Sequence, residues 1–200
     1  YANQASGSVE RARILIQFPV DQISTDRTST LIPASGSVSF YLKMYNVKHS
    51  QTLPKNFNMQ IYACSQSWDE GRGVDLDEYT DAGFSNWMSA SSTSGWTNDG
   101  STFITGSSYH ASPVYTAGFT NGPEDMSIDI TTLVEQWVAG TKTNNGLMVK
   151  MSSSLDPENP DSDGGTTSLY TKKFSARSSE FFFKRPVIEA RWDSRVKDDR

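Results

Sequence analysis

Two groups of residues in this chain have the types and spacing that could do chemistry. The stretch "WDEGRGVDLDEYTDAG" (68–83) concentrates Asp69, Glu70, Asp75, Asp77, Glu78 and Asp81. Hard cations such as Ca²⁺ draw about six to eight oxygen ligands from loops of this kind. Asp69, Asp75 and Asp77 are therefore the candidates for a structural calcium, although the spacing is not that of an EF-hand and a solvated acidic turn has the same composition. The second group is aromatic. Trp87, Trp96 and Tyr109 stand among Ser, Thr and Asn residues, as the stacking faces of a carbohydrate site would. The competing role for each is to pack the segment onto a core, the commoner fate of a tryptophan.

Catalytic constellations fail in turn. His49 and His110 lie far apart, and no His or Cys spacing suggests zinc. The Tyr109-His110 pair has no companion motif. Cys64 is the single cysteine, so an intrachain disulfide is impossible, and no neighbour in sequence would activate its thiolate. There is no G-x-S-x-G elbow, P-loop or dinucleotide fingerprint. Acidic residues for glycoside hydrolysis exist, but their separation in space is not readable from sequence. The expectation is a protein that is not an enzyme and needs no cofactor. A net charge of -5, with acids and bases interspersed, argues against a nucleic-acid partner. No apolar run reaches the roughly 20 residues that span a bilayer, and "YANQASGSVE" lacks the features of a signal peptide.

The elements that must position these residues are mostly strands. "RARILIQFPV" (11–20) alternates Ala12, Ile14, Ile16 and Phe18, "GSVSFYLKMYNV" (36–47) alternates Val38, Phe40, Leu42 and Met44, and "FNMQIYAC" (57–64) alternates Phe57, Met59, Ile61 and Ala63. "SIDI", "GLMVKM", "TSLYTKKF" and "RPVIEARW" follow, separated by Ser, Gly, Pro and Asn clusters. Short one-sided strands without βαβ units predict an all-β fold, a two-sheet antiparallel β-sandwich or jelly roll. The whole of 1–200 reads as a single domain, and its Tyr1 start and "RVKDDR" end lead to the expectation of a fragment of a longer chain.

One short helix is expected, at about 132–139. Thr132 and Glu135 fit a capping box, Leu133, Val134, Trp137 and Val138 form an apolar stripe, and Gly140 occupies the left-handed position after a helix. Asn145 and Gly146 then supply a tight turn. The pattern assigns Trp137 to the core. Between about 65 and 125 lies a long excursion rich in Ser, Thr, Gly and aromatics, among them Trp68. Its aromatics predict order, since disordered segments are poor in them. The loop "DPENPDSDGG" (156–165) reads as plainly exposed. In "EFFFKRP" (180–186) three consecutive phenylalanines cannot share one core if the segment is extended. Either Phe182 or the Phe181/Phe183 pair then needs another partner.

Taken in order, "ERARILIQFPV", "SGSVSFYLKMYN", "SQSWDEGRG", "DMSIDITTLVEQWVAGTKTNNGLMVK" and "FSARSSEFFFKRPVIEARW" resemble the DNRLRE-type domain. That jelly-roll module occurs in extracellular proteins and is related to carbohydrate-binding modules. The matching positions are Arg13 to Phe18, Trp68 and Glu70, Asp129 to Thr131, Trp137, Asn145-Gly146, Arg177 and Pro186. The family's "VTW" element is replaced here by "VDLDEY" and "SNWMSAS". The terminal stretch is similar to versions of the domain in structural proteins of tailed, especially marine, bacteriophages. For those the resemblance implies a non-enzymatic virion role at the particle surface: capsid decoration, neck or tail. Partners would be other virion proteins and other copies of the chain. The alternative it leaves open is a secreted carbohydrate-binding module of a larger enzyme or adhesin, gripping surface polysaccharide.

Overall fold

A computed structural model describes residues 2–5, 8–50, 53–71, 84–97, 108–156 and 169–195. The strands are β1 (Ala2–Ala5), β2 (Ser8–Arg11), β3 (Ile14–Ile16), β4 (Ser39–Met44), β5 (Phe57–Cys64), β6 (Tyr109–Phe119), β7 (Met126–Asp129), β8 (Leu147–Met151), β9 (Leu169–Tyr170) and β10 (Val187–Arg191). Two helices accompany them, α1 (Asp21–Thr28) and α2 (Thr131–Val138). The main antiparallel sheets run β3-β8-β5-β6 and β10-β4-β7, beside a small sheet β2-β1-β9. The all-β class and its two antiparallel sheets are as the alternation predicts. The strand order alone does not make a jelly roll.

The chain forms two compact units. One comprises Tyr1–Gln17, Asn58–Val114 and Asn144–Tyr170; the other comprises Phe18–Phe57, Tyr115–Thr143 and Thr171–Arg200. In the first unit β8 is buried at every position, as a strand covered on both faces must be. Tyr62, Cys64 and Met148 turn one way and gather Ala90, Trp96 and Tyr109 into a core, with Leu15, Trp68 and Trp87 packed against it. Burial pushes the Cys64 thiol up to about 12, so it stays protonated and unreactive near neutral pH. Trp68 donates its Nε1–H to the Asn145 carbonyl (2.8 Å), which ties the tryptophan to the turn entering β8. In that turn the Gly146 N–H meets the Asn144 side-chain oxygen (3.1 Å).

Gly146 has φ +82°, and a Cβ there would lie 2.6 Å from the Ile16 carbonyl oxygen. Both the left-handed backbone and the close approach require glycine. Gly146→Ala is expected to lower the unfolding free energy by at least about 1–3 kcal/mol, read from the shift of a urea midpoint at unchanged slope.

In the second unit, Val38, Phe40, Leu42 and Met44 on and beside β4 are all buried, as the alternation predicts. Helix α2 lays Leu133, Val134 and Trp137 into this core. Phe57 stacks on Phe119 with ring centroids 4.9 Å apart. Gly140 takes φ +71° just past the helix, in the expected left-handed conformation.

Several expectations are corrected. The capping box does not form: α2 starts at Thr131 and no side chain caps it across a turn. The Asp129 carboxylate instead accepts the Thr131 N–H (2.9 Å), while Thr131 Oγ1 accepts the Phe40 N–H (2.8 Å). Glu135 is drawn away by Arg27, which forms paired bonds to both carboxylate oxygens (2.5 and 2.9 Å). That guanidinium holds the Glu135 carboxyl below its ordinary range. A second helix, α1, also exists; it buries no residue, so it carries no apolar stripe to betray it. Arg27 fastens α1 to α2. The excursion contains a strand of eleven residues, β6. Finally, β3 is only Ile14–Ile16, with Ala12 exposed.

Candidate functional site

The segment 174–185 builds the most exposed apolar feature of the second unit. Phe174 bridges to Asn46 and the Ser175 N–H bonds the Tyr45 carbonyl (2.9 Å), which anchors the start. A turn follows, closed by Ser179 N–H to the Ala176 carbonyl (3.1 Å). Ser179 then organises what comes next: its Oγ accepts the Phe181 N–H (3.3 Å) and its carbonyl accepts Arg185 Nε (2.9 Å). Between these ties Phe182–Lys184 forms one turn of 3₁₀ helix, and Arg185, preceding a proline, is extended.

That turn lifts all three phenylalanines into solvent. Phe181 is 60% exposed, Phe182 69% and Phe183 87%. The expectation that Phe182 or the Phe181/Phe183 pair needs a separate partner assumes an extended segment; with the 3₁₀ turn formed, all three are exposed. Phe182 and Phe183 meet edge to face at 5.5 Å. Lys184 lies 5.5 Å from the Phe181 ring centroid and Arg185 5.4 Å from that of Phe182, close enough for cation–π attraction. Val187, which opens β10, and Trp192, just past its end, are also exposed, and β10 is an outermost strand of its sheet.

Beside the turn opens a cleft of about 680 Å³, lined among others by Asn46, Lys48, Asp125, Phe174, Glu180 and Phe181. Its rim is held by Asn46, whose N–H bonds Asp125 Oδ1 (2.7 Å). Behind the rim is a buried ammonium. Lys172 Nζ donates to Asn46 Oδ1 (2.8 Å), the Gly122 carbonyl (2.7 Å) and the Glu124 carbonyl (2.6 Å), and it faces the rings of Phe119 and Phe174. Glu124 accepts the Thr120 and Asn121 N–H groups, and these backbone donors hold its carboxyl below the usual range.

Burial pushes the Lys172 ammonium down to about 8 from 10.5, against the opposing pull of Glu124 and Asp125. Between those values the unfolded chain holds a proton that the folded one has released. Stability from this group is therefore fully present above pH 10.5 and is lost as pH falls through about 8. Unfolding free energies measured from pH 7 to 11 should show this rise in the wild type minus Lys172→Met difference. The subtraction removes the opposing Tyr115 contribution, whose pKa burial raises. A flat difference would contradict it.

The first unit holds the other concentration of charge, and it is closed. Arg13 grips Asp156 through Nε (2.8 Å) and Nη2 (2.9 Å), with both side chains buried. The guanidinium lies 4.9 Å from the Trp87 ring centroid. Lys150, buried in mid-strand, donates to the Asp156 carbonyl (3.1 Å). Asp156 opens the loop read as exposed and is instead buried; the rest of that loop lies outside the described residues. Sequence reasoning missed this cluster, because Lys150 alternates like a solvent-facing residue and its partners are distant in sequence.

The structure brings the three aromatic candidates of the first unit together, but as packing and not as an open face. Trp96 and Tyr109 are buried, with Trp96 Nε1 bonded to the Asn86 carbonyl (2.8 Å), so neither offers a face to a sugar. Trp87 is half-buried beneath Arg13. Asp69 is tied into its loop through backbone bonds with Ala90 and Ser85; Asp75 and Asp77 lie outside the described residues. Among the described residues no cluster of His, Cys, Asp and Glu could hold a metal ion. No described helix is long and apolar enough to cross a membrane. No family model, curated protein or solved structure matches the chain.

Proposed function

We propose that this chain is a non-enzymatic β-sandwich module of a virus particle, making protein–protein contacts through the face built on Phe181–Phe183. The observation that carries it is the exposure of those three consecutive rings together. Scattered exposed apolar residues are ordinary, but a contiguous group marks an interaction surface. Aromatic residues and arginine are the types enriched at such interfaces, and the turn supplies both. The particle setting rests on the resemblance of the terminal stretch to phage structural proteins. A carbohydrate-binding role is less well supported, since Trp96 and Tyr109 are buried and Trp87 is covered by Arg13.

The test is to purify intact particles from the source of this chain and quantify its peptides against the major shell protein by mass spectrometry. A fixed stoichiometric ratio is expected, near parity for a decoration protein and a few per cent for neck or tail. Peptides absent from particles and recovered in the secreted fraction would overturn the proposal.

A further inference from the structure

We propose that Lys172 and Asn46 form a covalent cross-link, an isopeptide bond made by attack of the lysine amine on the asparagine carboxamide. The two side chains are already in contact, with Nζ 2.8 Å from Oδ1, so the nitrogen stands beside the carbon it would attack. The Gly122 and Glu124 carbonyls hold it there at 2.7 and 2.6 Å, and the rings of Phe119 and Phe174 face it. Well-oriented groups fixed in this way react as if at effective molarities of roughly 10⁵–10⁸ M. The backbone is also in place. Val47 N–H bonds the Lys173 carbonyl (3.0 Å) and Ser175 N–H the Tyr45 carbonyl (2.9 Å), so the two segments already lie side by side.

The surroundings suit the chemistry. Lys172 is buried, and desolvation favours its neutral form, which is the nucleophile. The carboxylates of Glu124 and Asp125 both act on the ammonium. Glu124 Oε1 is engaged by the Thr120 and Asn121 N–H groups, whereas Oε2 is buried with no hydrogen-bond partner among the described residues. A buried oxygen left so is unfavourable, and carrying a proton gives it a role. Asn46 lines the cleft, which gives the released ammonia a way out.

The step balances without a co-reactant. Glu124 takes a proton from the ammonium, and the freed Nζ pair adds to Asn46 Cγ, pushing the carbonyl pair onto Oδ1. When that pair returns, the Cγ–Nδ2 bond breaks. Nδ2 takes the proton back from Glu124 and leaves as ammonia, and Nζ gives its surplus proton to solvent. An ammonium and a carboxamide become a secondary amide and an ammonium ion. The link spans 126 positions, in a chain whose single cysteine allows no internal disulfide, and closing so long a loop constrains the unfolded chain. It also replaces the ammonium, so the pH dependence given above for Lys172 belongs to the chain of full mass.

Intact-mass spectrometry of the purified 200-residue chain, followed over time at about pH 8, tests this. The wild type should become lighter by the mass of one ammonia. Trypsin should no longer cut after Lys172 and should release a branched peptide that joins the Asn46 and Lys172 fragments. Lys172→Met and Asn46→Ala should keep their full mass. Glu124→Gln, which keeps an acceptor for the Thr120 and Asn121 N–H groups, should slow the loss by roughly a hundredfold or more. The wild-type mass and its branched peptide decide the matter even where a variant fails to fold. A wild type that stays at full mass overturns the proposal. So does an ammonia loss that persists in Lys172→Met, since it would then arise elsewhere in the chain. A folded Glu124→Gln chain that links as fast as the wild type overturns the proton transfer assigned to Glu124.

Discussion

Replacing Asp156 by alanine is expected to lower the unfolding free energy by about 3–5 kcal/mol, the range for removing one partner of a buried ion pair. Arg13 would be left in the interior of the first unit, its Nε and Nη2 bonds to the carboxylate gone and both original side chains having been shielded from water. The loss comes less from the missing attraction than from the charge left uncompensated. A paired substitution separates the two effects. Arg13→Met/Asp156→Leu removes both charges at similar volume and should recover most of the loss; the Lys150 bond, which goes to the Asp156 backbone carbonyl, survives it. Urea titrations of the three chains give the comparison. A loss below about 1 kcal/mol for Asp156→Ala would place the pair with solvent-screened surface bridges and contradict its burial.

Trp137→Ala should be comparably damaging, at about 3–5 kcal/mol, the usual range for truncating a buried aromatic to alanine. Trp137 is buried on α2 beside Leu133 and Val134, and a helix of two turns depends on such packing. Its Nε1 finds no hydrogen-bond acceptor, and a buried unsatisfied donor costs roughly 1–3 kcal/mol. Trp137→Phe deletes that donor while keeping an aromatic ring, so relief of the donor offsets much of the lost volume. The phenylalanine variant should therefore lie much nearer the wild type than the alanine variant does. Equal losses for the two would mean that the indole N–H is satisfied in solution. A ligand platform would behave differently, since truncating an exposed ring leaves stability almost unchanged.

What was legible in the sequence followed from period and special backbone. The apolar alternation of β4 and β5, the stripe of α2 and the left-handed positions of Gly140 and Gly146 each leave a local mark. What was not legible depends on partners distant along the chain. α1 is polar but for Ile23 and docks through Arg27 to Glu135, 108 residues away, a pairing that also withdraws Glu135 from the local capping box. Lys150 looks like the solvent side of an alternating strand until its bond to the Asp156 carbonyl, and the Asp156 pairing with Arg13, are seen. β6 carries a proline and small polar residues and is buried at few positions, so its period is weak. The phenylalanine turn was half legible: three consecutive rings announce a conflict with any single core, but Ser179 and the proline after Arg185 decide that they resolve it by facing solvent.

The central claim is that the Phe181–Phe183 turn touches protein in the assembled particle. The most direct test places a benzophenone-bearing residue at position 183, the most exposed of the three rings, irradiates intact particles and identifies the adducts by mass spectrometry. The expected result is a covalent link from position 183 to a virion protein or to another copy of this chain, with none from the same probe placed at exposed Leu31. Particles that carry the probe and yield no protein adduct at 183, or yield only glycan adducts there, would contradict it.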